Sequence, residues 1–132
     1  NKDFISEARR LRKALGGGMR QAGIMASAGI FSLEKMIPQL KFDHKNAKTL
    51  AFGLSKITAL SVDEKKVKTN ILYFDLNSSK MSGSDLVTKM SEHNVKIFEV
   101  SPNRFRLVTH SNISKDDIDV TLELFNTVLI NK

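Results

Sequence analysis

Apolar residues in the first part of the chain recur at three- and four-residue steps, which is the spacing of amphipathic helices. The first run covers residues 3–15, with arginines on its opposite face, and ends at three consecutive glycines, which favour a helix C-terminus. The second run, over residues 19–36, has a stripe of Ala and Gly that lets another element approach closely, so we predict a buried helix. Pro38 marks a boundary, and residues 40–57 predict a third helix.

The pattern changes across residues 58–68, and shorter elements follow. Residues 69–76 have the β-branched and aromatic content of a strand, and a short helix is predicted after Ser82. Residues 95–100 and 105–109 predict two further strands, which a Ser-Pro-Asn turn joins into a hairpin.

The last predicted element is a helix that begins at Ser114 and Asp117, a variant of the capping box. The element order is therefore three helices, then strand, helix, strand, strand and helix. This order predicts an α+β fold in which helices cover an antiparallel three-stranded sheet.

Composition narrows the possible functions. The chain of 132 residues has no Cys, which excludes disulfides and thiolate metal sites. No apolar run approaches the ~20 residues of a membrane span, and charges interrupt the only candidate signal sequence, so we expect a soluble, cytoplasmic protein. The net charge of +7 favours anionic partners, but the basic cluster near the N-terminus has no interleaved aromatic residues and no nucleic-acid-binding motif accompanies it. We therefore expect neither nucleic acid nor a membrane as a partner.

The glycines at positions 16–18 and the following Arg20 form the first candidate site. A glycine loop at the start of a helix offers backbone amides to an anion, and the guanidinium of Arg20 can bind phosphate or carboxylate oxygens. The alternative is a glycine C-cap that links two helices, and the spacing alone does not decide between them. The run is not a P-loop, because no Lys-Ser or Lys-Thr follows.

The second candidate site lies in the predicted strand that ends near His110. Strand alternation places Arg104 and Arg106 on one face and apolar side chains on the other. Two arginines on one face can receive a substrate carboxylate, and the alternative is a solvated strand surface. The three histidines share no ligand spacing, so we expect no metal site.

The run from Ala8 to Ile24, Ala-Arg-Arg-Leu-Arg-Lys-Ala-Leu-Gly-Gly-Gly-Met-Arg-Gln-Ala-Gly-Ile, is similar to a signature of low-specificity threonine aldolases. Three later runs resemble motifs of the same family in the same order: Asp43-His44-Lys45-Asn46-Ala47, Thr69-Asn70-Ile71 and Arg104-Phe105-Arg106-Leu107-Val108-Thr109-His110. The resemblance implies a fold-type I pyridoxal-phosphate enzyme that splits threonine into glycine and acetaldehyde. Residues 1–58 would then end the large cofactor domain, and residues 59–132 would form the small C-terminal domain that closes over the substrate.

The resemblance also implies roles for individual residues. Arg20 would bind the cofactor phosphate, with Lys13, Gly17 and Gly18 beside it, and Arg106 would bind the substrate carboxylate. The Schiff-base lysine, the aspartate at the pyridine nitrogen and the stacking histidine belong to family segments that precede this chain. The chain would therefore contain no catalytic residue, would not bind pyridoxal phosphate covalently and would be inactive alone. Its partners would be the N-terminal part of the same enzyme and further copies in a homodimer or homotetramer.

One departure from the family pattern and two alternative functions stay open. Ser111-Asn112 stands where the family has Leu-Asp. The alternatives to an aldolase are a stand-alone basic module that binds anions or nucleic acid, and another fold-type I lyase acting on β-hydroxy amino acids. Because the small-residue stripe of the second helix has too little to pack against in so short a chain, we also predict that the isolated chain self-associates or is poorly stable.

Overall fold

The computed structural model describes residues 1–78 and 80–130 and divides the chain into two compact units, residues 1–37 and residues 38–132. The first unit has two α-helices, α1 (Lys2–Ala14) and α2 (Gly23–Phe31), and α2 continues into a π-helical turn, Ser32–Met36. Helix α1 begins where the Asn1 side chain accepts a hydrogen bond of 2.8 Å from the Phe4 amide.

Helix α1 ends at the glycines as predicted. Gly16 has a φ of +86°, and the Gly17 amide donates a 2.7 Å hydrogen bond to the Arg12 carbonyl. A residue with positive φ directly after a helix, with an amide turned back to the last turn, is a glycine C-cap. The C-cap interpretation of Gly16 and Gly17 is therefore confirmed.

The prediction for the second helix is wrong in two respects. The helix begins at Gly23 rather than at residue 19, because Gln21 has a φ of 50°, which interrupts helical geometry. It is also not buried, since Ile24 is 78% exposed and Phe31 is 58% exposed. Throughout residues 1–37, all of which the structure describes, no side chain is buried, because this unit has no second layer of its own.

Among its described residues, 38–78 and 80–130, the second unit contains three α-helices and four strands. A 3₁₀ turn, Ile37–Gln39, leads into the first of these helices, and another, Glu64–Lys66, lies between the first two strands. The elements in chain order are α3 (Leu40–Leu54), β1 (Leu60–Ser61), β2 (Ile71–Leu76), α4 (Gly83–Glu92), β3 (Phe98–Ser101), β4 (Arg104–Val108) and α5 (Lys115–Ile130).

The four strands form one antiparallel sheet in the order β1-β2-β4-β3. The prediction of an α+β fold with an antiparallel sheet is confirmed. The predicted number of three strands is wrong, because β1 has only two residues, too few to show strand alternation in the sequence.

Strand alternation separates the two faces of the sheet. On the inner face, the Phe74 and Phe105 rings stack at 4.9 Å, and Phe125 of α5 meets Phe74 edge-on at 5.4 Å. Helix α3 packs against α5 over this core. The domain boundary predicted after residue 58 concerns a larger enzyme and stays a prediction. None of the helices in the described ranges is long and apolar enough to cross a membrane.

Two helices of this unit begin at capping boxes. Ser82 and Asp85 exchange backbone and side-chain hydrogen bonds at the start of α4. Ser114 and Asp117 do the same before α5, with Ser114 N–H to Asp117 Oδ2 at 2.8 Å and Asp117 N–H to Ser114 Oγ at 3.1 Å. The hydrogen bonds from Ser114 lower the pKa of the Asp117 carboxyl below its ordinary value of 3.8.

Candidate functional site

The outer face of the sheet holds the two arginines that strand alternation predicted. Arg104 and Arg106 lie on β4, and Phe105 between them points into the core. In the register of the sheet, Arg106 lies opposite Tyr73 on one side and opposite Phe98 on the other. The site is therefore a row of arginine and aromatic side chains on a strand whose other face is fixed by packing.

Arg104 already has a charged partner. Its Nη1 lies 3.6 Å from Asp75 Oδ1, and its guanidinium carbon lies 5.6 Å from the centroid of the Tyr73 ring. Both side chains of the ion pair are about half exposed, so the pair is weak, but the carboxylate still offsets the positive charge of Arg104.

Arg106 differs from Arg104 in its surroundings. Its guanidinium carbon lies 5.5 Å from the centroid of the Phe98 ring, and within the described ranges no carboxylate oxygen lies within ion-pair distance of it. Its Nε is buried and has no hydrogen-bond partner among the described residues. Arg106 therefore has the charge and the planar donors that a ligand carboxylate requires, without an internal acid to occupy them.

A hydrogen-bond network holds the end of β4 against α3. Thr109, only 2% exposed, donates its hydroxyl to the Asp43 carbonyl at 2.7 Å, and its amide donates to the Asn70 carbonyl at 2.9 Å. The Asn70 side-chain amide returns a 2.7 Å bond to the Thr109 carbonyl. Asn46 donates to the Ile113 carbonyl at 2.9 Å, which fixes the loop after β4. These bonds position the strand that holds Arg106.

Sequence reasoning did not assign these structural roles. Four residues of this network belong to three of the motifs that resemble threonine aldolases: Asp43, Asn46, Asn70 and Thr109. Their place in these motifs was the only sequence signal for a structural role. Nor did it identify Phe98, which has no motif around it. In the loop with the unusual Ser111-Asn112 pair, the Asn112 amide donates to His110 Nδ1 at 3.3 Å.

The glycine loop of the first unit brings Lys13 close to Gly18. A Cβ added at Gly18 would overlap the Lys13 side chain, and one at Gly17 would overlap the Arg12 side chain. The glycines thus leave room for two basic side chains beside the loop, and Arg20 follows two residues later. None of the ion pairs in the described ranges includes Arg12, Lys13 or Arg20. Two features limit this loop as an anion site: the Gly17 amide is used by the C-cap, and α2 begins only at Gly23.

No group of three or more His, Asp or Glu residues in the described ranges could hold a metal ion. The charged groups that the two candidate sites offer within the described ranges are cationic: Lys13 and Arg20 beside the glycine loop, and Arg106 on β4.

Comparison with known proteins identifies the family. The family model described as "Beta-eliminating lyase" matches residues 1–77, which is more than half of the chain. The chain belongs to the beta-eliminating lyase family. The match includes the glycine loop and ends before Arg106.

The similarity to individual family members extends beyond the residues that the family model matches. Low-specificity L-threonine aldolase 1 of Arabidopsis thaliana is 33% identical over 131 residues, which are 98% of this chain and 37% of that protein. Alanine racemase TOXG of Cochliobolus carbonum is 30% identical over 138 residues, covering 98% of this chain and 33% of its own length. The chain thus spans about a third of the length of the curated relatives it matches.

The fold of the chain also matches a solved structure. A complex of the cystine C-S lyase C-DES with its product cysteine persulfide aligns with a TM-score of 0.63 over 77% of this chain and 27% of that one, at 15% identity. At this identity the likeness concerns the fold alone.

Proposed function

We propose that this chain is the C-terminal part of a low-specificity L-threonine aldolase that uses pyridoxal 5′-phosphate to cleave threonine or allo-threonine into glycine and acetaldehyde. The similarity to the Arabidopsis thaliana aldolase over 98% of the chain supports this assignment. We also propose that the enzyme is cytoplasmic and acts as a homodimer or homotetramer on a small amino acid.

The observation that supports the proposal most directly is the difference between Arg104 and Arg106. Asp75 lies beside Arg104, whereas no acid within the described ranges pairs with Arg106. A bidentate guanidinium–carboxylate pair fixes the plane of an amino acid as well as its position. In aldol cleavage, this orientation selects which bond of the substrate aligns with the cofactor ring. We therefore assign the substrate carboxylate to Arg106.

The cofactor phosphate is assigned to Arg20 and Lys13, with Gly17 and Gly18 as the loop beneath them. The fit rests on the space that the glycines leave beside Lys13 and on the absence of acidic partners for these two bases within the described ranges. When bound, the cofactor supplies an electron sink for the bond that breaks. The residues of this chain bind the two anionic ends, phosphate and carboxylate, and so orient the substrate.

We propose no catalytic base in this chain. The lysine that binds the cofactor covalently and the group that takes the hydroxyl proton are assigned to the N-terminal part of the enzyme. The chain alone should therefore show no turnover of threonine, and the N-terminal part should be its obligatory partner.

The test compares Arg106→Lys with Arg104→Lys in the full-length enzyme. Lysine keeps the charge but loses the second hydrogen bond to a carboxylate, so Arg106→Lys should raise KM for threonine about 10- to 100-fold. Arg104→Lys, the matched control on the same strand face, should change KM less than about threefold. Equal effects of the two variants on KM would contradict the assignment.

The similarity to alanine racemase TOXG favours a second candidate, a pyridoxal-phosphate enzyme that racemises a small amino acid. Carboxylate binding by Arg106 would serve either reaction. Acetaldehyde release from threonine and loss of optical activity from L-alanine, measured on the full-length enzyme, distinguish the two. Two further alternatives are a stand-alone anion-binding module and another lyase that acts on β-hydroxy amino acids. Threonine cleavage by the full-length enzyme would exclude the first. Faster cleavage of threonine than of other β-hydroxy amino acids would exclude the second.

A further inference from the structure

Phe98 is an exposed aromatic side chain that the proposed function does not use. It lies on β3, is 60% exposed, and faces Arg106 directly in the register of the β3–β4 pair. Because Phe98 shares the outer face of the sheet with Arg106, its ring is available for a contact on that face.

The contact that Phe98 makes is with the guanidinium of Arg106. The 5.5 Å between guanidinium carbon and ring centroid is within the range of about 6 Å for a cation–π interaction. The ring has no acceptor atom, so it can hold the guanidinium without occupying a hydrogen-bond donor. An acid at this position would hold the guanidinium equally well but would compete with a ligand carboxylate.

The buried Nε of Arg106 supports the same conclusion. Nε has no hydrogen-bond partner within the described ranges, so no polar group in these ranges fixes the rotation of the guanidinium through that atom. The other flanking aromatic, Tyr73, lies under Arg104 instead. Phe98 is thus the aromatic contact that restricts the guanidinium of Arg106.

We propose that Phe98 is a positioning residue for Arg106: its ring holds the guanidinium in the orientation that leaves both terminal nitrogens free for a carboxylate. The contact between the two side chains stands on geometry alone, and its consequence for substrate binding rests on the proposed function. Phe98 itself is not expected to touch the carboxylate, since it has no polar atom.

The contact is tested first on the 132-residue chain by NMR of the arginine side chains. In the parent chain, the Nε proton and the Cδ protons of Arg106 should be shifted upfield by the ring and should show NOEs to it. Phe98→Leu, a surface substitution that keeps an apolar side chain, should remove the shift, and Phe98→Tyr should retain it. Tyr73→Leu is the matched control, which should alter the Arg104 signals and leave those of Arg106 unchanged. Arg106 signals that are identical in the parent and in Phe98→Leu would overturn the inference.

The consequence is tested on the full-length enzyme. Phe98→Leu should lower kcat/KM for threonine about three- to tenfold, mainly through KM, and Phe98→Tyr should restore it. If Arg106→Lys raises KM and Phe98→Leu does not, the positioning role is wrong. If Arg106→Lys leaves KM unchanged, the proposed function fails instead, and the NMR result alone then decides whether Phe98 holds Arg106.

Discussion

The two units of this chain have similar helical patterns in sequence but differ in what those patterns bury. In residues 38–132, the apolar faces of α3 and α5 meet the inner face of a sheet, and Phe74, Phe105 and Leu54 are at most 1% exposed. In residues 1–37, helix α1 has an equally regular apolar stripe, yet Phe4 is 69% exposed. Helical periodicity therefore identifies an apolar face, but that face is buried only where a second layer of structure packs against it.

Separating the two units is the strongest test of whether only the second unit has a core of its own. Residues 38–132 alone should give a dispersed amide spectrum and a cooperative thermal transition, because the buried apolar side chains of the described ranges all lie there. A peptide of residues 1–37 should be largely unstructured, since two short helices without packing are marginal in water.

The same pair of proteins tests for self-association. By analytical ultracentrifugation, the full chain should form oligomers through the exposed apolar residues of its first unit, and residues 38–132 should sediment closer to a monomer. A monomeric full chain with a sharp, high melting transition would contradict the prediction.

A smaller effect comes from matched core and surface truncations. Phe105→Ala should lower the free energy of unfolding of the full chain by about 3–5 kcal/mol, because it opens a cavity beside Phe74 and Phe125. Phe31→Ala, in α2, should change it by less than about 0.5 kcal/mol at protein concentrations at which the chain is monomeric, because Phe31 is 58% exposed. Urea denaturation measures both, and similar losses for the two variants would mean that the first unit is buried in solution.

The smallest effect concerns acid stability of the second unit. The pKa of Asp117 is lowered by its bonds to Ser114, so the carboxylate stabilises the folded state above the ordinary value of 3.8. This contribution should be lost as pH falls below that value and through the lowered pKa. Asp117→Asn should therefore be less stable than the parent at pH 6, and the difference should shrink toward pH 2. A difference that stays constant with pH would show that the charge of Asp117 does not contribute.

Much of the fold followed from local patterns. The glycine stop after α1, the capping box at Ser114 and the strand alternation around Phe105 each depend on a few adjacent residues, and each is confirmed. The start of α2 was missed because it depends on the backbone of Gln21, which has no residue-type signal for positive φ. Strand β1 was missed because it depends on pairing with β2 rather than on its own two residues.

The candidate site was predictable only in part, for the same reason. Alternation along β4 placed Arg104 and Arg106 on one face, which is a local property. Arg104 has an acid beside it because Asp75 lies opposite it in the sheet. The guanidinium of Arg106 lies against an aromatic ring because Phe98 lies opposite it. The first fact comes from the register between β2 and β4, which are distant in sequence, and the second from the register within the β3–β4 hairpin, which shifts at Glu99 and Ser101. A single sequence specifies neither register.

The hydroxyl bond from Thr109 to the Asp43 carbonyl has a mechanical consequence. Together with the paired bonds between Thr109 and Asn70, it joins α3, β2 and β4 at one buried residue. A displacement of β4 relative to α3 would leave a buried hydroxyl and a buried carbonyl without partners, which costs about 1–3 kcal/mol. The position of Arg106 along its strand therefore depends on a helix that is more than sixty residues away in sequence.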